Sequence, residues 1–195
     1  YPAQAKAGKV DGTVRPVFEK PSPGVLRIDA QHGFAYPALD LMMGHLPDMA
    51  RTQGIAIASI HRSHHAGVMG LTVERLAEQG LAAMMFANAP AAMAAWGGRR
   101  PMFGTNPIAF GVPVGDAGDP IIIDLALSKV ARGKIMAAKQ KGAEIPDDWA
   151  LDVDGNPTTD AQKALDGTMI PAGRVKGAAL AMMVELLAAG LTGAQ

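Results

Sequence analysis

Residues 104–113, with the sequence GTNPIAFGVP, combine a rigid polar corner with an apolar strand. Glycine and proline impose unusual backbone at both ends of the segment, and Thr105 and Asn106 can form side-chain hydrogen bonds near its start. Such a corner suits a loop that presents backbone groups to a ligand. An ordinary turn before a core strand explains this segment, taken alone, equally well.

The composition is that of a globular chain and excludes several kinds of site. Of the 195 residues, 49% are hydrophobic and 18% are charged, which is typical of folded domains. The formal net charge is zero and no Lys/Arg-rich run occurs, so we expect no nucleic-acid partner bound through its phosphates. Cysteine is absent, which excludes disulfides and thiolate metal sites without deciding the compartment.

The sequence contains no recognisable membrane segment or leader. No apolar run approaches the roughly 18 residues that a membrane span needs. The start, YPAQAK, does not resemble a signal peptide. We therefore expect no membrane partner and, by default, a cytoplasmic location.

The hydrophobic pattern predicts strands and helices in mixed order, and therefore an α/β fold. Short apolar or alternating runs predict strands at 25–29, 55–60, 81–86, 108–112 and 121–124. Apolar residues three or four apart predict helices at 36–53, from about 68 to 80, from 128 to about 141 and from about 176 to 189. Pro47 should kink or split the first helix, and Ser128 should cap the third. One face of the last helix is expected to carry Leu180, Met183, Val184 and Leu187.

The standard dinucleotide-binding fingerprint is absent, since no Gly-x-Gly-x-x-Gly follows any predicted strand. Two predicted helix starts could nevertheless bind anions. Residues 124–128, DLALS, run from a strand into a helix start whose free amides favour phosphate or ribose oxygens; a plain capped helix is the alternative. Lys176 opposes the dipole of the last helix, a cost that an anionic ligand would offset; a solvated surface lysine is the alternative.

A histidine cluster is the other candidate for chemistry. His61 and His65 are four residues apart, a spacing that could ligate zinc if the segment were helical. The segment is instead expected at a strand end and turn, without a carboxylate nearby in sequence. A hydrogen-bonded structural role for His65 is the ordinary interpretation.

Eight short motifs occur in order along the chain. They are Ser63/His65/Gly67, Asn88-Ala89-Pro90, Gly97-Gly98, Gly104–Pro107, Asp124–Ser128, Asp152–Asp160, Lys176-Gly177 and Leu191–Ala194. In order and approximate spacing they resemble the malate/L-lactate dehydrogenase family, which also contains L-sulfolactate dehydrogenase, ureidoglycolate dehydrogenase and Δ1-piperideine-2-carboxylate reductase. The resemblance extends over essentially the whole chain.

The resemblance implies an oxidoreductase that uses NAD or NADP as its cofactor. Hydride would pass between the nicotinamide and a small 2-hydroxy or 2-oxo acid, or a related cyclic imine. The implied fold is the family's own L-sulfolactate-dehydrogenase-like NAD(P)-binding fold, with a mixed sheet flanked by helices, and not a classical Rossmann fold. A homodimer is implied as well, and no metal.

The resemblance also assigns residues to the site. His65 would lie near the nicotinamide and substrate, where imidazole can give or take a proton or orient a carboxylate. Thr105 and Asn106 would lie in the same vicinity. Cofactor contacts would come from Ala89, Asp124, Leu125, Ala126, Ser128, Lys176 and Gly177. This chain departs from the family at Leu127, where the family has Thr, and at Ala89, where it often has a small hydroxyl residue.

The resemblance further predicts how the chain is organised. Residues 1–34 would belong to a catalytic or substrate domain, and residues 35–195 to the NAD(P)-binding domain with its active-site loops. Family members carry a Ser-His-x-x-Arg catalytic segment just before the position of Tyr1, whose histidine competes with His65 for the acid–base role. They also continue beyond the position of Gln195. We therefore expect the central part of a longer enzyme, without dehydrogenase turnover by itself.

A non-catalytic ligand-binding or assembly protein that retains the fold is the alternative. The reading frame upstream of Tyr1 separates the two, because a Ser-His-x-x-Arg segment there favours the enzyme. NAD and NADP stay open, since no ribose-reading acid or phosphate-reading Arg stands out in the sequence.

Overall fold

Helices and strands are interspersed along the chain in a computed structural model that describes residues 2–115 and 118–193. The helices are Pro2–Lys6 (α1), Ala35–Met43 (α2), Leu46–Gln53 (α3), Gly70–Ala77 (α4), Arg132–Lys141 (α5), Ala161–Asp166 (α6) and Val175–Glu185 (α7). The strands are Val17–Ser22 (β1), Val25–Asp29 (β2), Ile57–His61 (β3), Ala83–Phe86 (β4), Met93–Ala94 (β5), Pro101–Phe103 (β6), Ile108–Val112 (β7), Ile121–Leu125 (β8), Ala150–Leu151 (β9) and Thr168–Met169 (β10). This order confirms the predicted α/β class.

The chain divides into two compact units. The first consists of Tyr1–Met85, Ala109–Ile123 and Gly190–Gln195, and the second of Phe86–Ile108 and Asp124–Ala189. Tyr1 and Ala194, which the family resemblance invokes, lie outside the described ranges. Within those ranges, no helix combines the length and the apolar character needed to cross a membrane.

A mixed three-stranded sheet in the order β1-β2-β3 organises the first unit. β1 and β2 are antiparallel, whereas β2 and β3 are parallel from the pair Val25/Ile57 to the pair Asp29/His61. Leu26 and Ile28 alternate on the buried face of β2, as period-two patterning requires. The two parallel strands therefore end side by side, with Asp29 next to His61.

Helices α2 and α3 cover this sheet, and they confirm the predicted effect of Pro47. The single apolar pattern is divided into Ala35–Met43 and Leu46–Gln53, with Pro47 in the first turn of α3. Proline is tolerated there because its missing N–H would have no partner within the helix. The core of the unit is formed by buried apolar residues of β2 and of both helices, among them Leu26, Ile28, Ala38, Leu39, Met42 and Met49.

A second three-stranded sheet, in the order β4-β7-β8, has the predicted strand Ile108–Val112 at its centre. Gly111 allows this strand to approach α4 closely. A Cβ atom at Gly111 would lie 2.7 Å from the carbonyl oxygen of Val73, a fully buried residue of that helix. Glycine is thus required here by packing and not by a turn.

The second unit contains a four-stranded mixed sheet in the order β6-β5-β10-β9. Its strands have two or three residues each and lie in stretches that the sequence pattern leaves as loops. Strands this short have no measurable period, so pattern analysis misses them. In the loop before α6, Asp160 accepts hydrogen bonds from the amides of Gln162 and Lys163, so this acid caps the helix.

Ser128 does not cap α5 as predicted. The helix begins at Arg132 after Ala131, and no side chain caps it. Ser128 is buried, and its hydroxyl donates a hydrogen bond to the carbonyl oxygen of Val130 at 2.8 Å. Ser128 forms a bridge with Pro171, residues 129 and 130 form a bend, and Ala131 is extended, so the helix begins only at Arg132.

The apolar face expected on the last helix is mostly exposed. Leu180, Met183 and Leu187 are exposed, and only Val184 of the predicted face is buried. The buried face of α7 consists of the small residues Gly177, Ala178 and Ala181 together with Val184. The helix is apolar around most of its circumference, so its sequence carries little information on which side packs inward.

Truncating Leu26 tests this description of the core. We expect Leu26→Ala to lower the free energy of unfolding by about 2–5 kcal/mol, because a fully buried side chain leaves a cavity. Arg27→Ala is the matched control on the same strand: its exposed ion pair with Glu19 contributes less than about 1 kcal/mol. Urea unfolding of both variants measures the difference, and equal losses would contradict the assigned register of β2.

Candidate functional site

Four segments of the second unit, made of loops with the end of β8 and the first turn of α7, are held together by hydrogen bonds and close packing. They are residues 88–90, 104–107, 124–130 and 170–177, which we call the loop cluster. All of the predicted cofactor-binding residues, and Thr105 and Asn106, lie in these loops. The structure therefore brings these predicted residues into one unit.

Backbone hydrogen bonds form the middle of the loop cluster. The amide of Leu127 donates to the carbonyl oxygen of Thr105 at 2.8 Å, and the carbonyl oxygen of Leu127 accepts from the amide of Ala172 at 2.8 Å. Ser128 and Pro171 form an isolated antiparallel bridge. The Leu127 side chain is buried in the core of the unit, so Leu at this position takes a packing role in place of the family's Thr.

The buried amide of Asn106 joins three parts of the second unit. Its Nδ2 donates to the carbonyl oxygen of Ala181 at 2.9 Å and to Oε2 of Glu185 at 2.8 Å. Its Oδ1 accepts from the amide of Ala89 at 3.3 Å. Asn106 has no exposed surface and a positive φ of 36°, so its side chain is committed to holding the loops in place.

Two glycines allow the loops to approach each other by their backbones. A Cβ atom at Gly104 would overlap the carbonyl oxygen of Ala89, and one at Gly177 would overlap the carbonyl oxygen of Ala172. Gly177 lies in the first turn of α7, where it lets the helix pack directly against the loop before it. Any side chain at these positions would push the loops apart.

The exposed groups at the start of α7 have the chemistry of a phosphate site. Lys176 is exposed, and the Arg174 guanidinium lies 5.6 Å from the centre of the exposed Trp96 ring. Arg174 precedes the helix with a positive φ of 58°. An ammonium and a guanidinium both bind phosphate oxygens, so the side chains of Lys176 and Arg174 could hold the phosphates of a dinucleotide. The amides of Arg174 and Lys176 already donate to the carbonyl oxygens of Pro171 and Gly173.

In the first unit, an ion pair holds the loop that leads to the histidines. Arg62 donates to Asp29 through Nε, at 2.9 Å to Oδ1, and through Nη2 to Oδ2. The hydrogen bonds from Arg62 lower the pKa of the Asp29 carboxyl to about 2. Arg62 has a positive φ of 52°, which is unfavourable for a residue with a side chain, and the pair holds it there.

His65 is exposed and lies in the turn after this pair. Its Nδ1 accepts a hydrogen bond from the amide of Gly67 at 3.0 Å. The neighbouring His64 is half-buried and packs edge-on against Phe34, with ring centres 5.9 Å apart. Burial lowers the pKa of His64, and the nearby His65 lowers it further. Of the two, His65 is the one whose ring faces solvent.

The sequence alone did not single out Asp29, Arg62 or Glu185. The signal for Glu185 was present, since it is the one acid in an otherwise apolar stretch from 177 to 193, and isolated charges in apolar helices usually have a partner. Asp29 and Arg62 are far apart in sequence and meet only through the parallel pairing of β2 and β3. Across residues 2–115 and 118–193, no three His, Asp or Glu side chains are grouped as metal ligands would be.

Known proteins match the chain over its whole length. The profile of the malate/L-lactate dehydrogenase family matches residues 1–195. A curated (2R)-3-sulfolactate dehydrogenase (NADP(+)) of Chromohalobacter salexigens is 54% identical over 193 residues, which are 99% of this chain and 57% of the relative. A Δ1-pyrroline-2-carboxylate/Δ1-piperideine-2-carboxylate reductase of Pseudomonas aeruginosa is 47% identical over 98% of this chain and 57% of its own length. The chain thus spans a little over half the length of these relatives.

Solved structures confirm the predicted fold. The Δ1-piperideine-2-carboxylate reductase of Pseudomonas syringae superposes with a TM-score of 0.95 at 44% identity, over 99% of this chain and 58% of that one. Sulfolactate dehydrogenase of Methanocaldococcus jannaschii superposes with a TM-score of 0.88 at 32% identity, over 100% of this chain and 56% of that one. The fold is accordingly the sulfolactate-dehydrogenase-like α/β fold with mixed sheets.

Two glycines near helix starts provide a matched test of the loop cluster. Gly177→Ala should destabilise the protein by about 1–3 kcal/mol, because the new Cβ overlaps backbone that cannot move away without opening the cluster. Gly133→Ala, in the first turn of α5, meets no atom within 4 Å and should stabilise by about 0.4–1 kcal/mol. Chemical unfolding compares the two; a neutral Gly177→Ala would contradict the close approach.

The Asp29–Arg62 pair predicts an acid-dependent stability. The folded pKa of Asp29, about 2, lies below its ordinary value of 3.8, so the pair stabilises the fold above about pH 4 and this contribution is lost as the pH falls through about 2. We expect Asp29→Asn to cost about 1–2 kcal/mol at neutral pH, reduced by screening of the half-exposed Arg62. The melting temperatures of Asp29→Asn and of the wild type should differ at pH 7 and converge as the pH falls towards 2. Asp48→Asn, at an exposed pair with Arg51, is the control and should change little.

Proposed function

The chain belongs to the malate/L-lactate dehydrogenase family, and we propose that the full-length protein containing it transfers a hydride between a nicotinamide cofactor and a small 2-oxo acid or cyclic imine. The observation that carries this proposal is the loop cluster, in which the residues expected to bind the cofactor are gathered in one unit. The names of the relatives support the substrate class, because a sulfolactate and a cyclic imine carboxylate both have a carboxylate next to the reacting carbon.

The loop cluster is the proposed site for the dinucleotide. The side chains of Lys176 and Arg174 would hold phosphate oxygens, and residues 124–128 and Ala89 would line the remainder through their backbone. The relative that is 54% identical is named for NADP(+), which supports NADP ahead of NAD. When bound, the reduced nicotinamide would supply the hydride.

His65 is the proposed substrate-orienting residue. Because Nδ1 accepts from the Gly67 amide, the neutral ring carries its proton on Nε2. Protonation at Nδ1 would set two N–H groups against each other, so His65 is better suited to donate from Nε2 to a substrate carbonyl or carboxylate oxygen than to accept a proton. The proton that accompanies the hydride would then come from another group, such as the upstream histidine of the family pattern.

Cofactor binding is the first experiment. In the full-length protein, Lys176→Ala should weaken NADPH binding by about 1–3 kcal/mol through loss of a charge-assisted contact, and Ser128→Ala by a similar amount through disturbance of residues 124–130. Lys134→Ala, an exposed lysine in α5, is the control. Fluorescence titration with NADPH and NADH measures the affinities. Unchanged affinity in both site variants would mean that the cofactor binds elsewhere.

Turnover is the second experiment. His65→Ala should lower kcat/KM with a 2-oxo acid or cyclic imine by roughly 10²–10³-fold, because a positioned hydrogen-bond donor to the substrate is lost. The melting temperature should stay nearly unchanged, because the side chain is exposed. His64→Ala should instead lower the melting temperature and leave kcat/KM nearly unchanged, since His64 packs against Phe34. If both variants keep full activity, His65 has no part in the reaction. Tight NADPH binding without turnover on any of these substrates would instead favour a non-catalytic binding protein.

The organisation of the full-length protein is also a proposal. We assign residues 1–34 to a substrate domain and residues 35–195 to the cofactor domain, and we propose a homodimer in the cytoplasm. Exposed apolar side chains of α7, including Leu180, Met182 and Met183, support the presence of further protein surface against this helix. Light scattering of the full-length protein measures its mass, and a monomer at micromolar concentration would exclude the dimer.

A further inference from the structure

Glu185 is a half-buried carboxylate that none of the expected site residues explains. It lies at the end of α7 and forms no ion pair with any residue in the described ranges. Its Oε2 accepts a hydrogen bond from Nδ2 of Asn106 at 2.8 Å. Removing a carboxylate from water without a cation nearby costs free energy unless hydrogen bonds compensate for the loss.

The contacts of Asn106 show what the Glu185 carboxylate does in the fold. An amide side chain has two N–H donors and one carbonyl acceptor, and in Asn106 each of them has a partner. The two donors serve the carbonyl oxygen of Ala181 and the carboxylate of Glu185, and the acceptor serves the amide of Ala89. Since Asn106 is fully buried, water cannot replace any of these partners.

Glu185 is one of three groups that fix which way the Asn106 amide is turned. Rotating the amide by half a turn would place Oδ1 against two acceptors, the Ala181 carbonyl and the Glu185 carboxylate. The same rotation would set the NH₂ group against the Ala89 amide, which is itself a donor. With Glu185 in place, only the orientation that presents Oδ1 to Ala89 satisfies all of the groups.

This orientation fixes the loop at 88–90 from two directions. The Ala89 amide is held by Oδ1 of Asn106, and its carbonyl oxygen lies so close to Gly104 that a side chain there would overlap it. Ala89 carries no side-chain oxygen that could bind a ligand, so any contact with the cofactor must come from its backbone. The strength of such a contact depends on how well the backbone of Ala89 is held in position.

We propose that Glu185 is a positioning residue for nucleotide binding, acting through the Asn106 amide on the backbone of Ala89; this rests on the proposed function. Glu185 itself touches no ligand. Its carboxylate serves as a hydrogen-bond acceptor, and its charge is incidental. Glutamine can supply the same acceptor at the same distance from α7, whereas leucine and alanine cannot.

Three variants of the full-length protein test the proposal by NADPH affinity. Glu185→Gln should bind NADPH within roughly threefold of wild type, because the acceptor is kept. Glu185→Leu should bind at least roughly tenfold more weakly, because a buried N–H of Asn106 loses its partner. If Glu185→Leu does not fold, Glu185→Ala replaces it in the same titration. Glu144→Leu, at an exposed carboxylate of the same unit, is the control and should bind as wild type does.

Amide hydrogen exchange at Asn88 and Ala89 provides a readout that needs no cofactor. Exchange at Ala89 should be faster in Glu185→Leu than in wild type and unchanged in Glu185→Gln. A leucine variant with wild-type affinity and wild-type exchange overturns the proposal, as does a glutamine variant that is as impaired as leucine. If wild type binds neither NADPH nor NADH, the proposed function fails and the role in nucleotide binding falls with it. In that case, faster exchange in Glu185→Leu would show that Glu185 holds the loop at Ala89 but has no role in nucleotide binding.

Discussion

The second unit depends on one buried amide. Asn106 has no exposed surface, and its three hydrogen bonds reach a loop, a helix backbone and a carboxylate. An unpaired polar group at this depth costs about 1–3 kcal/mol, so the three partners must stay within hydrogen-bond distance of one residue. Loops that would otherwise move independently are thereby held in place relative to Asn106. The same residue fixes α7 to them at Ala181 and Glu185.

The glycines of the motifs follow from this arrangement. Where loops are joined by backbone hydrogen bonds, their chains must approach closely, and Gly104 and Gly177 are the positions at which a side chain would block the approach. The resulting surface presents amides and carbonyls more than side chains. This explains how Ala89 and Leu127 can replace polar residues without loss of the fold, since the groups that meet in the cluster belong to the main chain.

The sequence predicts the regular parts of the fold and misses those with no local signal. Val25–Asp29 and Ile108–Val112 are found at their exact bounds because their burial patterns are periodic. The inward face of α7 could not be predicted, because its packing side is chosen by close approach of Gly177 to Ala172 and not by hydrophobicity. The candidate residues of the second unit could be found by resemblance. The roles of Asp29 and Glu185 depend instead on long-range contacts: Asp29 pairs with Arg62, 33 positions away in the sequence, and Glu185 with Asn106, 79 positions away.

The two units stabilise their candidate residues by different physical means. The loop before His65 contains a backbone of unfavourable φ at Arg62, held by a charged pair whose carboxyl has a pKa of about 2. That pair is fully ionised throughout the neutral range, so the loop stays held there, and a change of activity between pH 5 and pH 8 cannot come from its release. Such a change would have to come from groups that titrate in that range, of which histidines are the ordinary kind. Nδ1 of His65 accepts from the Gly67 amide, which leaves Nε2 of this exposed ring as the atom that can donate a hydrogen bond to a ligand. This geometry supports the proposed role of His65 as a hydrogen-bond donor to the substrate.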